Sequence, residues 1–184
     1  MFEQLTSIPG YQVYIWLLSI LGSAAIHLRM RGDYSRPVVV ETLLIYLAGV
    51  GGFISIISFF MHTFAGDMVA ASIGWPAGNP FQTEVGVANL AIGVLGYATF
   101  WRRDWWLPYI IAASIFGWGA GFTHIADMLS HGNFSPDNAG PILYWDFLKP
   151  VALVTLYWLH SRYQSRTQNA GAAYKVQGFE TAAD

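Results

Sequence analysis

The 184-residue chain contains no cysteine and little charge, with Lys, Arg, Asp and Glu together making up 11% of it. Without cysteine there is no disulfide, thiolate ligand, iron–sulfur cluster or thiol nucleophile, so any bound metal would need nitrogen and oxygen donors. The chain also lacks a phosphate-cradling glycine loop, a nucleophile elbow, an HExxH pair and a basic nucleic-acid patch, and nucleic acid is thereby excluded as a partner. What it has instead is apolar length. Hydrophobic residues make up 54% of the chain, far above an ordinary soluble domain.

A hydrocarbon core of roughly 30 Å is crossed by about 20 apolar residues in a helix. Five stretches qualify, at about 11–28, 38–64, 84–101, 107–130 and 142–160. The sequence therefore predicts an all-α integral membrane five-helix bundle over residues 1–161, embedded in the lipid bilayer. Residues 162–184, rich in Gln, Ala, Ser and Thr, read as a mobile cytoplasmic tail. The start has no basic n-region and its apolar run leads straight into arginines, so a retained anchor is expected rather than a cleaved signal.

Basic residues give the orientation. Arg29, Arg31 and Arg36 follow the first stretch, Arg102 and Arg103 the third, and Arg162, Arg166 and Lys175 the fifth, leaving Lys149 alone on the other side. The positive-inside rule then places the N-terminus outside and the C-terminus in the cytoplasm of a prokaryotic inner membrane. Trp101, Trp105, Trp106 and Trp158 are expected in the inner aromatic belt, and Tyr11, Tyr14, Trp75 and Trp145 in the outer one. Glu41, one turn inside the second stretch, is expected to snorkel towards Arg36.

The acids sort the opposite way: Glu3, Asp67, Glu84, Asp127, Asp137 and Asp146 all fall at the outer ends. That field concentrates cations. Within the fourth stretch His124, Asp127 and His131 stand at i, i+3 and i+7 and share one helical face. The two histidines are about 10 Å apart along the axis, too far to share an ion unaided, whereas Asp127 reaches either. The other readings are that Asp127 merely orients a histidine, that His131 beside Gly132 is a surface residue, and that a histidine beside a carboxylate relays protons.

His62 and Asp67 close the second stretch, and Gly66 and the run Gly74-Trp75-Pro76-Ala77-Gly78-Asn79-Pro80 break it. The segment at about 65–82 is still apolar in part, so a re-entrant outer loop is expected. Glu84 and Asn89 lie in the first turns of the third stretch, where an acid favours the helix dipole or points at His124. Asp146 and Lys149 have the spacing of an i, i+3 ion pair. The spacing from His62 to Glu84 equals that from His124 to Asp146, as a degenerate parallel repeat of two helix pairs would give. Small residues such as Gly86, Gly93, Gly117 and Gly121 allow close helix packing.

The string IGWPAGNPFQTEVGVAN, from Ile73 to Asn89, together with GAGFTHIADM, from Gly119 to Met128, resembles a family of small uncharacterised prokaryotic multi-pass membrane proteins, a domain of unknown function. The resemblance implies a class and a motif around Glu84. It brings no activity, cofactor or catalytic residue.

Three function classes follow. The first is a metal site of redox or hydrolytic kind near the outer leaflet, with His62, Glu84, His124 and Asp127 as ligands and Asp67, Asn89, His131 and Asp146 as additional donors, suited to zinc, iron, manganese or copper. The second is an electron carrier with b-type haem on His62 and His124, or a quinone. The third is a non-enzyme: a small cation or proton-coupled transporter, or an accessory subunit, in a homo-oligomer or a larger membrane complex.

Overall fold

The computed structural model describes residues 10–180, with side chains described up to residue 169, so Glu3 and the Lys175 side chain lie outside the described residues. All regular structure among them is helical: α1 (Tyr11–Arg31), α2 (Arg36–Phe64), α3 (Gly66–Ile73), α4 (Phe81–Ala98), a 3-10 turn (Arg103–Trp105), α5 (Trp106–His131), α6 (Pro136–Ala139) and α7 (Pro141–Glu180). Four segments are long and apolar enough to cross a membrane: α1, α2, Arg103–His131 and Pro136–Asn169. The chain is a multi-pass membrane protein.

The fifth expected span is α4. It forms as an 18-residue helix but is not among those four, and Gln82, Glu84 and Asn89 interrupt the apolar pattern of its first turns. It also starts three residues earlier than its apolar pattern suggests: Pro80 is its N-cap, and the fixed φ of proline leads into a helix as readily as it ends one. At the other end of the chain α7 continues past the expected limit at 160, through Glu180.

Helix ends follow local chemistry. Gly32 takes a left-handed conformation (φ 69°), and its N–H closes α1 on the Leu28 carbonyl. The Ser35 N–H then donates to Asp33 (2.8 Å), which, followed by the Ser35 hydroxyl and nearby Arg31, holds that carboxyl below the usual carboxylate range. Pro37 lies in the first turn of α2, where its missing donor costs nothing.

Helix α2 is the central element. It packs most extensively on α4, then on α1 and α7, while α5 pairs with α7. The α2–α4 contact is glycine-made: a Cβ on Gly52 would run into the Tyr97 amide nitrogen and the Gly96 backbone, and one on Gly96 would meet Gly52 Cα at 2.8 Å. The core comprises Leu44, Ala48 and Ile54 of α2, Trp106, Tyr109 and Ala113 of α5, and Trp145 and Leu153 of α7. Trp106 and Trp145 thus face the core, each on the bundle-facing side of its helix. Glu41 lies within electrostatic reach of Arg103 and His160.

Candidate functional site

The polar residues at the α3 end of the bundle are gathered by two amides and a tryptophan. Helix α5 carries His124 and Asp127 on the side facing α7 and the segment that follows α3. His124 is 7% exposed. Its Nδ1–H donates to Asn138 Oδ1 (2.7 Å), and the Asn138 amide nitrogen donates in turn to the Asn133 carbonyl (2.7 Å), which fixes the amide's orientation and hence the histidine tautomer. Asn138 is 0% exposed and lies in α6, a four-residue helix that serves to carry it. The Trp75 ring stacks on His124 with centroids 5.9 Å apart and planes 20° from parallel.

His124 Nε2 faces Asp146 Oδ2 of α7 at 3.9 Å. The expected Asp146–Lys149 ion pair is not among the ion pairs of the described residues; the Lys149 ammonium lies 5.9 Å from the centre of the Trp145 ring. Pro150 contributes to this geometry. Lacking an N–H, it leaves the Asp146 carbonyl without its helical donor, and Gly117 of α5 lets that carbonyl approach, within 3.0 Å of where a Cβ would stand.

Asp127 forms a second hub. Its Oδ2 accepts from Trp75 Nε1 (2.9 Å) and Asn133 Nδ2 (2.7 Å), and its Oδ1 accepts from His131 Nδ1 (2.9 Å). Asn133 Nδ2 also donates to the Ile73 carbonyl at the end of α3 (2.8 Å). Asp127 therefore pins the post-α3 turn and the 133–139 segment as one cover over His124. His131 ends α5, and three-quarters of its side chain is exposed.

His62 belongs to another network. Its Nδ1–H donates to Gln82 Oε1 of α4 (2.8 Å), and Asp67 at the start of α3 accepts the Gly78 N–H (2.7 Å). Asn89 is buried and donates to the Val85 carbonyl of its own helix (3.0 Å). Glu84 is exposed, and its carboxylate takes part in no hydrogen bond or ion pair between described residues. The structure thus pairs His124 with Asp146 and Asp127 with His131, links the two pairs through Trp75, places His62 and Asp67 apart from them, and leaves Glu84 and Asn89 out. Among the described residues no group of three or more His, Cys, Asp or Glu side chains could hold a metal ion.

The residues that organise both networks, Trp75, Gln82, Asn133 and Asn138, carry no charge and no helical period that would single them out. A dense Asn-Phe-Ser-Pro-Asp-Asn run after the break at Gly132 hints at Asn133 and Asn138, and the Ile73–Asn89 string contains Trp75 and Gln82. Comparison with curated proteins and with solved structures finds no match. The model of a family of unknown function, DUF6790, matches residues 10–166, and the chain belongs to that family.

Proposed function

We propose that this is a proton-coupled transport protein of the cytoplasmic membrane, with its N-terminus outside, its C-terminus inside and the His124–Asp146 pair as its outer proton-binding site. One observation carries the reading: with Nδ1–H committed to Asn138, a neutral His124 presents a lone pair at Nε2 to a carboxylate, and two acceptors face each other at 3.9 Å. A single proton resolves the conflict, either as imidazolium beside carboxylate or as imidazole beside carboxylic acid. In a site shielded from water, the net-neutral and singly protonated forms of such a pair are far cheaper than two unmatched acceptors.

The interior supports onward movement. The buried hydroxyls of Thr42, Tyr109 and Ser114 and the Trp106 indole nitrogen have no partner among the described residues. At hydrocarbon depth each of them needs water. From His124 to Trp106 the axis of α5 covers about 27 Å at about 1.5 Å per residue, and at the far end Trp106 packs on His160 near Glu41 and Arg103. Helix α4 crosses beside α2 as the fifth span, and α3 with the turn after it forms the re-entrant outer cover. The metal and haem readings need His62 and His124 on one ion or one haem, and the two histidines belong to separate networks.

The test is proton flux into proteoliposomes holding a trapped pH dye, after an external acid pulse. Wild-type protein is expected to acidify the lumen faster than empty vesicles, and Asp146→Asn and His124→Gln to abolish the difference. Unchanged flux in both variants would sink the reading.

A further inference from the structure

A second site lies on the other side of α3. The end of α2, the start of α3 and the 78–83 segment enclose a cleft of about 590 Å³, within the range of small-molecule pockets. Its polar lining is His62, Thr63, Asp67, Asn79, Gln82 and Thr83. Gln82 is only 4% exposed, and its Oε1 accepts from His62, yet its amide nitrogen donates to nothing among the described residues. The Thr63 hydroxyl, buried without a partner among the described residues, lies against Gly86 of α4 and is not open to the cleft. Asp67 uses Oδ1 for the Gly78 N–H, leaving its second oxygen open.

Buried polar groups are normally satisfied, so the free amide end of the largely buried Gln82 is a donor available to a ligand or to water. The donor set defines the ligand. No Lys or Arg lines the cleft, and its one ionised group is a carboxylate, so anions are disfavoured and a cation is attracted. Phe64 forms part of the wall, stacked on Phe60 with planes 22° apart, and an aromatic face adds attraction for a positive charge. The Gln82 amide requires an acceptor on the ligand, close to the charge.

We infer that this cleft binds a small protonated amine that carries a hydroxyl or carbonyl acceptor, with Asp67 holding the ammonium and Gln82 the acceptor. The cleft shares no residue with the His124–Asp146 pair, and the inference stands whether or not that pair binds a proton. The same ligand chemistry is offered by a free amino alcohol and by the headgroup of phosphatidylethanolamine.

Ethanolamine is the probe, titrated into detergent-purified protein and followed by saturation-transfer NMR. Saturable binding is expected. Asp67→Asn, an exposed position where the fold tolerates change, should weaken it at least about tenfold, the loss of one charge-assisted hydrogen bond. Gln82→Leu should weaken it similarly, with helix content checked by circular dichroism. Ethylene glycol, which keeps the acceptor and lacks the charge, should not bind. Repeating the titration in phosphatidylcholine nanodiscs with and without phosphatidylethanolamine separates the sources: competition by the lipid assigns the headgroup, and its absence assigns the free amine. No saturable binding, binding untouched by Asp67→Asn, or equal binding of ethylene glycol would each overturn the inference.

Discussion

Asn138 determines which chemistry His124 can offer. By accepting from Nδ1 it leaves Nε2 as the working nitrogen, and by donating to the Asn133 carbonyl it ties that choice to the cover above the site. Replacing it with alanine leaves a buried imidazole N–H and a carbonyl unmatched, which costs about 1–3 kcal/mol. The expected results are a lower unfolding temperature and loss of acid-driven proton flux, with the His124 ring nitrogens in NMR spectra no longer showing one tautomer. Trp75→Phe is a cleaner test of the cover. The phenyl ring can still stack on His124, but the Asp127 carboxylate loses an indole donor, for an expected destabilisation of about 1.5–3 kcal/mol read by thermal unfolding. Unchanged stability would mean that Asn133 and His131 suffice to satisfy Asp127.

The long helices were legible because apolar runs of membrane length admit few alternatives; their limits were less so, and α7 runs well past the end of its apolar stretch. Pro80 started α4 early, and the apolar residues Ala70 to Ile73 wound into α3 rather than an irregular loop. The equal spacing from His62 to Glu84 and from His124 to Asp146 was half informative. The pairs α2–α4 and α5–α7 do pack together, yet His62 meets Gln82, two residues before Glu84, and only His124 meets its counterpart. Spacing placed residues on the right helices; the side-chain amides that select the partner left no periodic trace. At this scale Gly52→Val should be severe, because its side chain would meet the Tyr97 amide and the Gly96 backbone, which cannot yield. Overpacking of this kind costs about 1–3 kcal/mol or more, and a drop in the unfolding midpoint measures it. The turn from α1 to α2 is a milder case. Asp33 has a depressed folded-state pKa, so its contribution is present above the ordinary carboxylate range and fades as pH falls through the folded value. The Ser35 amide should accordingly lose hydrogen-exchange protection in acid, and Asp33→Ala should remove that pH dependence.

For the whole molecule, charge and aromatic placement define two unlike ends. Arg29 and Arg31 end α1, Arg102 and Arg103 open the 3-10 turn, and Arg162 lies over the Trp158 ring at 4.5 Å, whereas Asp67, Asp127 and Asp137 belong to the opposite end. Basic ends stay on the cytoplasmic side during insertion, and Trp–Arg pairs suit the headgroup level. The absence of cysteine makes this orientation directly measurable, since any introduced thiol is the only one present. Asn79→Cys, in the turn before α4, and Asp104→Cys, in the 3-10 turn, are both exposed and lie at opposite ends of α4. In intact cells a membrane-impermeant maleimide should label Asn79→Cys and spare Asp104→Cys, and permeabilisation should make the second as reactive as the first. The reverse pattern would invert the protein in the membrane and turn the His124–Asp146 pair towards the cytoplasm. Labelling of both in intact cells would mean that α4 does not cross, leaving α2 and α5 to be joined on one side by a helix packed against them.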